Sequence, residues 1–350
     1  MTPKSCRMAG GAVLAAVLVA LAGAGCSQTA RPTQVLRVWP PAPGPTRIVL
    51  REIIIGAQDF QRQDPLSVIG RLIAGEQKQV LLQPQAVAVD GDQTLYVADQ
   101  GHQGIHVFNL KEGGSRFLAK AGEEFLISPA GLALCEGMLV VSDSALGLVF
   151  FLRPDGRLER TIARPGGFKR PTGLAYDPGR RLLYVVDTLA QEVCVFQPSG
   201  QFVRAFGAGG TGPGLLNFPT YAAVDDDGTV YVTDSLNFRV QAFDPQGKFL
   251  RQIGQLGDAT GYMAVPKGIG VDRHGHVYVA DSSLSTVQIF DREGRFLLSF
   301  GERGDGPGSF QVPAGLAIGA GDRIYVCDSF SHRLQVFQYV EPKDETTTSD

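Results

Sequence analysis

Apolar and polar residues alternate in short runs, set between Gly- and Asp-rich turns, along most of the chain. The stretch after Pro266 shows the unit: Gly268-Ile-Gly-Val-Asp272, a turn at 273–275, His276-Val-Tyr-Val-Ala280, a polar turn at 281–285, Thr286-Val-Gln-Ile-Phe290, a turn at 291–294, then Arg295-Phe-Leu-Leu-Ser-Phe300. Runs of β-branched and aromatic residues bounded by turn residues are strand signals, so the unit reads as four short strands. The unit recurs. A tetrapeptide of the Tyr-Val-Ala-Asp type ends at Asp99, Asp143, Asp187, Asp234, Asp281 and Asp328, with spacings of 44, 44, 47, 47 and 47 residues. Nine residues after each stands Phe108, Leu152, Phe196, Phe243, Phe290 or Phe337, and before each stands Pro84, Pro129, Pro171, Pro219, Pro266 or Pro313. A period of about 40–50 residues with four strands per unit predicts a propeller blade, and no unit carries a helical period. The expected fold is all-β, a six-bladed β-propeller of four-stranded blades over residues 47–340.

The sixth unit has three strands before a charged, Thr-rich tail at 341–350. Its missing outer strand has a candidate at 47–56, which resembles the outer strand of the fourth unit at 248–254. An N-terminal strand that completes the last blade closes the ring and covers an edge that would otherwise invite aggregation. One helix is expected, over about 65–74. Asp64 suits its N-cap, Pro65 its first position and Gly75 its C-cap, while Leu66, Ile69 and Ile73 share one face. It lacks the basic polar face of a membrane-surface helix, so packing against the ring is expected.

The N-terminus follows another pattern. Lys4 and Arg7 precede an apolar run from 8 to 25 that ends in small residues directly before Cys26, which is the layout of a secretory signal. The sequence Leu21-Ala22-Gly23-Ala24-Gly25-Cys26 resembles the lipobox of bacterial lipoproteins, with Gly23 where Leu is commonest. The resemblance implies cleavage of residues 1–25, lipidation of Cys26 and, with Ser27 next, sorting to the outer membrane. The protein is then expected outside the cytoplasm, on the periplasmic face of the outer membrane or at the cell surface. Residues 26–46, rich in proline, read as an extended tether.

Composition narrows the partners. Glycine at 44 and proline at 21 of 350 residues fit a chain with many turns. The formal charge is −3; loss of Lys4 and Arg7 with the signal leaves 30 bases against 35 acids, or −5. A mildly acidic body speaks against nucleic acid, whose binders carry a basic surplus. Cys135, Cys194 and Cys327 lie in separate apolar strands without Cys-x-x-Cys spacing. They read as buried free thiols, with no disulfide or zinc knuckle.

The repeat text resembles the NHL family of β-propellers: Pro-x-Gly-Leu-Ala, Tyr-Val-x-Asp-Ser, Arg-Val-Gln-x-Phe, then Gly-x-Phe-Leu and a Gly-rich link. The resemblance runs from Pro84 to Phe337 and implies the fold. It leaves function open, because such propellers serve as enzymes, receptors and scaffolds.

Gly207-Ala-Gly-Gly-Thr-Gly212 has the spacing of a dinucleotide fingerprint, but Pro213 follows where a helix must begin, so the segment reads as a link between blades. The six repeat aspartates end strands before Ser- or Thr-rich turns and read as structural caps that accept backbone N–H bonds. The similar peptidyl-amidoglycolate lyases bind zinc through histidines, some directly after the inner-strand proline. Here those positions hold Gln85, Ala130, Thr172, Thr220, Lys267 and Ala314. His102, His106, His274, His276 and His332 fall on turns and on second and third strands, and the expectation is that they do not converge into a metal site. Gluconolactonase-like calcium propellers use a Glu, Asn and Asp at the axis, which the inner positions also lack. No catalytic residue, metal or cofactor is therefore assigned.

Departures from the repeat near the axis or loops are the expected ligand contacts. Tyr221 stands where four blades have glycine, and Lys267 is the one charge among the inner positions, beside Gln85, Thr172 and Thr220. Asn237 and Arg239, and His332 and Arg333, follow the aspartates of blades four and six. With Gln100, Ser144, Thr188, Ser235, Ser282 and Ser329 directly after the aspartates, these describe a neutral, hydroxyl-rich rim with a few cations. The function expected is a monomeric, non-catalytic binding scaffold for a protein, peptide or glycan, in contact with the membrane only through its lipid. The alternative is a lyase- or lactonase-like enzyme that uses the axial channel.

Overall fold

The computed structural model describes residues 37–41, 44–60, 80–91 and 93–341. The signal, Cys26, most of the tether, the helix expected over 65–74 and the tail from 342 on lie outside the described residues. Among the described residues the only helical elements are short 3-10 turns, at Ala57–Phe60, Ser235–Asn237 and Ala320–Asp322.

Six antiparallel sheets carry the repeats. In the fourth, the strands Pro219–Val224, Val230–Asp234, Arg239–Phe243 and Phe249–Ile253 pair in sequence order. The Pro–Asp pairing recurs: Pro84 opposes Asp99, Pro219 opposes Asp234 and Pro313 opposes Asp328, each followed by a register shift in the inner strand. The blades therefore share one register, as the fixed spacing of proline and aspartate required.

Closure follows the expected route. Blade 6 has the strands Pro313–Gly319, Arg323–Asp328 and Arg333–Tyr339, and Ile48–Ile54 pairs antiparallel with the last of these, Leu50 opposite Phe337. A further strand lies within the stretch expected as a tether. Arg37–Trp39 pairs with Ile48–Ile54 as a fifth strand of this blade, with Val38 opposite Val49. The reason lies in Trp39, which is buried against Phe300 and Phe337 at centroid distances of 5.9 and 5.7 Å. A large aromatic ring gains more by joining a core than by staying in a solvated spacer.

Buried apolar clusters fill the space between neighbouring blades. Blade 6 meets blade 1 through Ala314, Tyr325, Cys327 and Leu334 against Val87, Leu95, Val97 and Phe108, so the ring has no open interface. Cys135, Cys194 and Cys327 are free and buried, as expected. Burial pushes the Cys135 and Cys194 thiols up to about 11. The Gly-rich links are loops of one design. Gly210, Gly257 and Gly304 donate to the carbonyls of Leu216, Met263 and Phe310, whose side chains are fully buried. This geometry gives the Gly207–Gly212 segment a place between blades.

Candidate functional site

Two sets of loops meet at one end of the ring: the turns after the repeat aspartates, and the links that enter each inner strand. The aspartates tie them together. Asp99 accepts N–H bonds from Leu82, Gln83 and His102, at 2.7, 2.9 and 3.2 Å. Asp143 does the same for Ile127, Ser128, Ala145 and Leu146, and Asp281 for Ala264, Val265, Ser283 and Leu284. Asp187 holds Lys169, Arg170 and Ala190, Asp234 holds Asn217, and Asp328 holds Gln311 and Val312. All six carboxylates are fully buried. A buried charge is tolerated where several donors converge on it, so these groups act as caps and bind two loops at once.

The hydroxyls after the aspartates have an equally structural task. Thr188 donates to the carbonyl of Pro219, Ser235 to Pro266 and Ser329 to Pro84, each reaching from one blade to the next. Ser282 and Ser144 bond the link of their own blade. The rim hydroxyls are thus largely engaged in stitching the ring.

The cations expected on that rim divide. Arg239 is buried and bonds Asp234 at 2.8 Å, Gln252 and the carbonyls of Gly212 and Leu215. Arg333 is buried in the same way on Asp328 and the carbonyls of Asp305, Gly306 and Ser309. Asn237 bonds Asp234 and Gly210. The two arginines are spent on these internal bonds, because the Gly-rich link folds over them, and Asn237 is half-buried with its amide nitrogen engaged. His332 is exposed, with Nδ1 against the carbonyl of Leu82. Lys267 remains a contact candidate: it is half-buried, and burial together with the nearby Arg170 holds its ammonium below the ordinary lysine range.

At the axis the decisive residue is Tyr221. Its hydroxyl donates to the carbonyl of Gln85 at 2.8 Å, from blade 4 to blade 1 on the far side of the ring. Its ring packs on the cluster that Ala86 and Leu132 share between blades 1 and 2, and burial pushes its phenol up. The glycines at the matching positions are set by crowding: a Cβ on Gly173 would stand 2.4 Å from the Cα of Tyr221, and one on Gly315 2.3 Å from the Gln85 carbonyl oxygen. Around Tyr221, Thr172 bonds Thr188 and the carbonyl of Thr220, Thr220 bonds Ser235, and the Gln85 amide bonds Ser329.

Apolar residues absent from the expected site also stand exposed at this end. Leu189, Leu236 and Phe330 each stand two residues after an aspartate, and Leu82 and Ile127 each two before an inner-strand proline; all five are exposed, Phe330 to 63%. Large apolar side chains at turn positions were the available signal. A cavity of about 420 Å3 lies at the other end of blade 1, lined by Asp90, Tyr96, Asn109, Arg116 and Pro154, away from every candidate above.

One histidine expectation changes. His102 and His106 do converge, both on Asp99. His102 Nδ1 lies 3.0 Å and His106 Nε2 3.3 Å from the same carboxylate oxygen, and the donor atoms of the three residues lie within 4.8 Å of one another. The hairpin register explains it. Asp99 opposes Gly104 and Val97 opposes His106, so Asp99 and His106 are diagonal neighbours on one face.

Comparison with known proteins follows the fold. Residues 124–253 and 220–300, together just over half of the chain, match the family described as SMP-30/Gluconolactonase/LRE-like region, and residues 310–337 match the NHL repeat. No curated protein matches the sequence. Among solved structures, a catalytically inactive virginiamycin B lyase from Staphylococcus aureus with quinupristin is 12% identical, with a TM-score of 0.56 over 74% of this chain and 95% of that one. A luciferin-regenerating enzyme is 16% identical, with a TM-score of 0.55 over 75% of this chain and 92% of that one. A chain of a nidogen/laminin complex is 18% identical, with a TM-score of 0.52 over 63% of this chain and 83% of that one. At these identities the likeness is one of fold.

Proposed function

This chain belongs to the SMP-30/gluconolactonase/LRE-like family of β-propellers, and we propose that it uses the fold as a non-catalytic binding scaffold, anchored by lipid at Cys26 outside the cytoplasm. The observation that carries the proposal is the bond from Tyr221 to Gln85 across the axis. The protein's own side chain fills the place where an axial substrate would sit. The six side chains after the inner-strand prolines include no carboxylate and no imidazole, the groups that general acid–base chemistry uses most.

The partner is a protein or peptide, docking on the end that carries the aspartate turns. Leu82, Ile127, Leu189, Leu236 and Phe330 supply apolar anchors there, and a group of exposed apolar residues on one face marks an interaction surface. Lys169 and Arg170, which lead into blade 3, and Lys267, on the inner strand of blade 5, add positive charge, which suits an acidic group on the partner.

The test is site-specific photo-crosslinking in membranes of the native host. A crosslinker at Leu236 or Phe330 is expected to give a discrete protein adduct, and one at Leu297, on an outer strand, none. Equal labelling at all three positions, or none at any, overturns the docking face. Turnover of a lactone or cyclic peptide that is lost in Tyr221→Phe would favour the enzyme instead. Cys26→Ser is expected to move the protein into the soluble extract; a membrane-bound variant would refute the anchor.

A further inference from the structure

Blade 1 differs from blades 4 and 6 beside its repeat aspartate. In blades 4 and 6 the residue opposite the repeat aspartate is an arginine, Arg239 or Arg333, and two residues on stands Gln241 or Gln335. In blade 1 those positions hold Gly104 and His106, and the intervening turn supplies His102. Gly104 makes room: a Cβ there would stand 2.3 Å from Cζ of Phe117, whose ring lies 4.8 Å from that of His106. Phe108 stacks on the other side of His106, and His102 meets it edge-on at 5.4 Å. Both imidazoles are thus held in place by aromatic neighbours.

Their nitrogens point at one oxygen that has little left to give. Asp99 Oδ2 already accepts the Leu82 N–H and the His102 contact. His106 Nε2 is buried 3.3 Å from it without hydrogen-bonding geometry and has no other hydrogen-bond partner, in a side chain only 3% exposed. A buried ring nitrogen left in that state is costly unless something else occupies its lone pair. A tetrahedral zinc ion has Zn–N and Zn–O distances near 2.0–2.2 Å, which places neighbouring ligand atoms roughly 3.3–3.5 Å apart. The two contacts to Asp99, 3.0 and 3.3 Å, lie within a few tenths of an ångström of that spacing, and the three donor atoms all lie within 4.8 Å of one another.

We propose that Asp99, His102 and His106 form a three-ligand site for Zn2+, with a fourth position open to solvent beside the exposed His102. Two imidazoles and one carboxylate select zinc and similar borderline ions over Ca2+ and Mg2+, which require more oxygen ligands. The site is part of blade 1 and does not use the axis, so it stands independently of the scaffold reading.

The test uses the full chain, purified without a polyhistidine tag, with Zn2+ titrated against a chromophoric chelator and Co2+ as a spectroscopic probe. The expected result is one Zn2+ per chain and the visible bands of four-coordinate Co2+. His102→Ala alters an exposed turn residue, and His106→Gln installs the residue of the sibling blades, so both variants are expected to fold. Each should weaken zinc binding by at least about 100-fold and abolish the Co2+ bands. Absence of stoichiometric zinc binding in the parent chain, or binding unchanged in either variant, overturns the site.

Discussion

The hydroxyl of Tyr221 and the carbonyl oxygen of Gln85 are hydrogen-bonded at 2.8 Å across the axis of the ring. One side chain of blade 4 thereby braces blade 1. Tyr221→Phe keeps the ring and loses the bond, and is expected to cost about 1 kcal/mol. Tyr221→Gly, which restores the residue of the sibling blades, also leaves the space of the aromatic ring empty and should cost about 3–5 kcal/mol. Urea unfolding midpoints at constant m-value check both.

Beside the apolar clusters, single hydroxyls bridge neighbouring blades. Thr188→Val leaves the Pro219 carbonyl without its donor, and Ser329→Ala does the same to Pro84. Each should cost about 1–3 kcal/mol. The two seams are distinct, so the double variant should show the sum of the single effects within about 0.5 kcal/mol. A double-mutant cycle in urea measures this.

Arg239 and Lys267 are both cations, and their replacement by methionine should act in opposite directions. Arg239→Met strands the buried Asp234 carboxylate and should cost about 3–5 kcal/mol. Lys267 has its pKa lowered by burial and by Arg170, so the folded chain disfavours its charged form. The unfolded chain then binds more protons between the lowered and the ordinary lysine pKa, and stability rises with pH through that window. Lys267→Met is expected to raise the melting temperature at pH 7 and to remove that alkaline gain. Melting curves from pH 7 to 11 separate the two variants.

Acid acts through Asp99 and Asp272. Burial raises both carboxyls, but hydrogen bonds outweigh it and leave both below their ordinary range; on Asp272 these come from the His276 ring and backbone N–H and the Tyr278 hydroxyl. The stability they contribute is fully present above the unfolded carboxylate pKa, near 4, and is lost as pH falls through their lower folded values. Melting temperature should be level from about pH 7 to 5 and fall below about pH 4. Asp272→Asn should be less stable than the parent chain at pH 7, with a shallower acid fall. Calorimetry across pH decides it.

The residues themselves determined the number of blades, the four-strand unit, the strand that closes blade 6 and the capping aspartates. Each of these depends on local spacing, because a two-residue side-chain period and a fixed distance from proline to aspartate leave one register open. Tertiary structure decided what each decorated position does. Arg239, Arg333 and Asn237 follow aspartates as a rim residue would, yet the Gly-rich links fold over them and make them internal counter-charges and caps. Trp39 lies in a proline-rich stretch, and only the packing of Phe300 and Phe337 shows that it belongs to the core. His102 and His106 converge because a hairpin register sets them diagonally about Asp99. Tyr221 reaches Gln85 over 136 residues of sequence, because closing the ring sets blade 4 opposite blade 1.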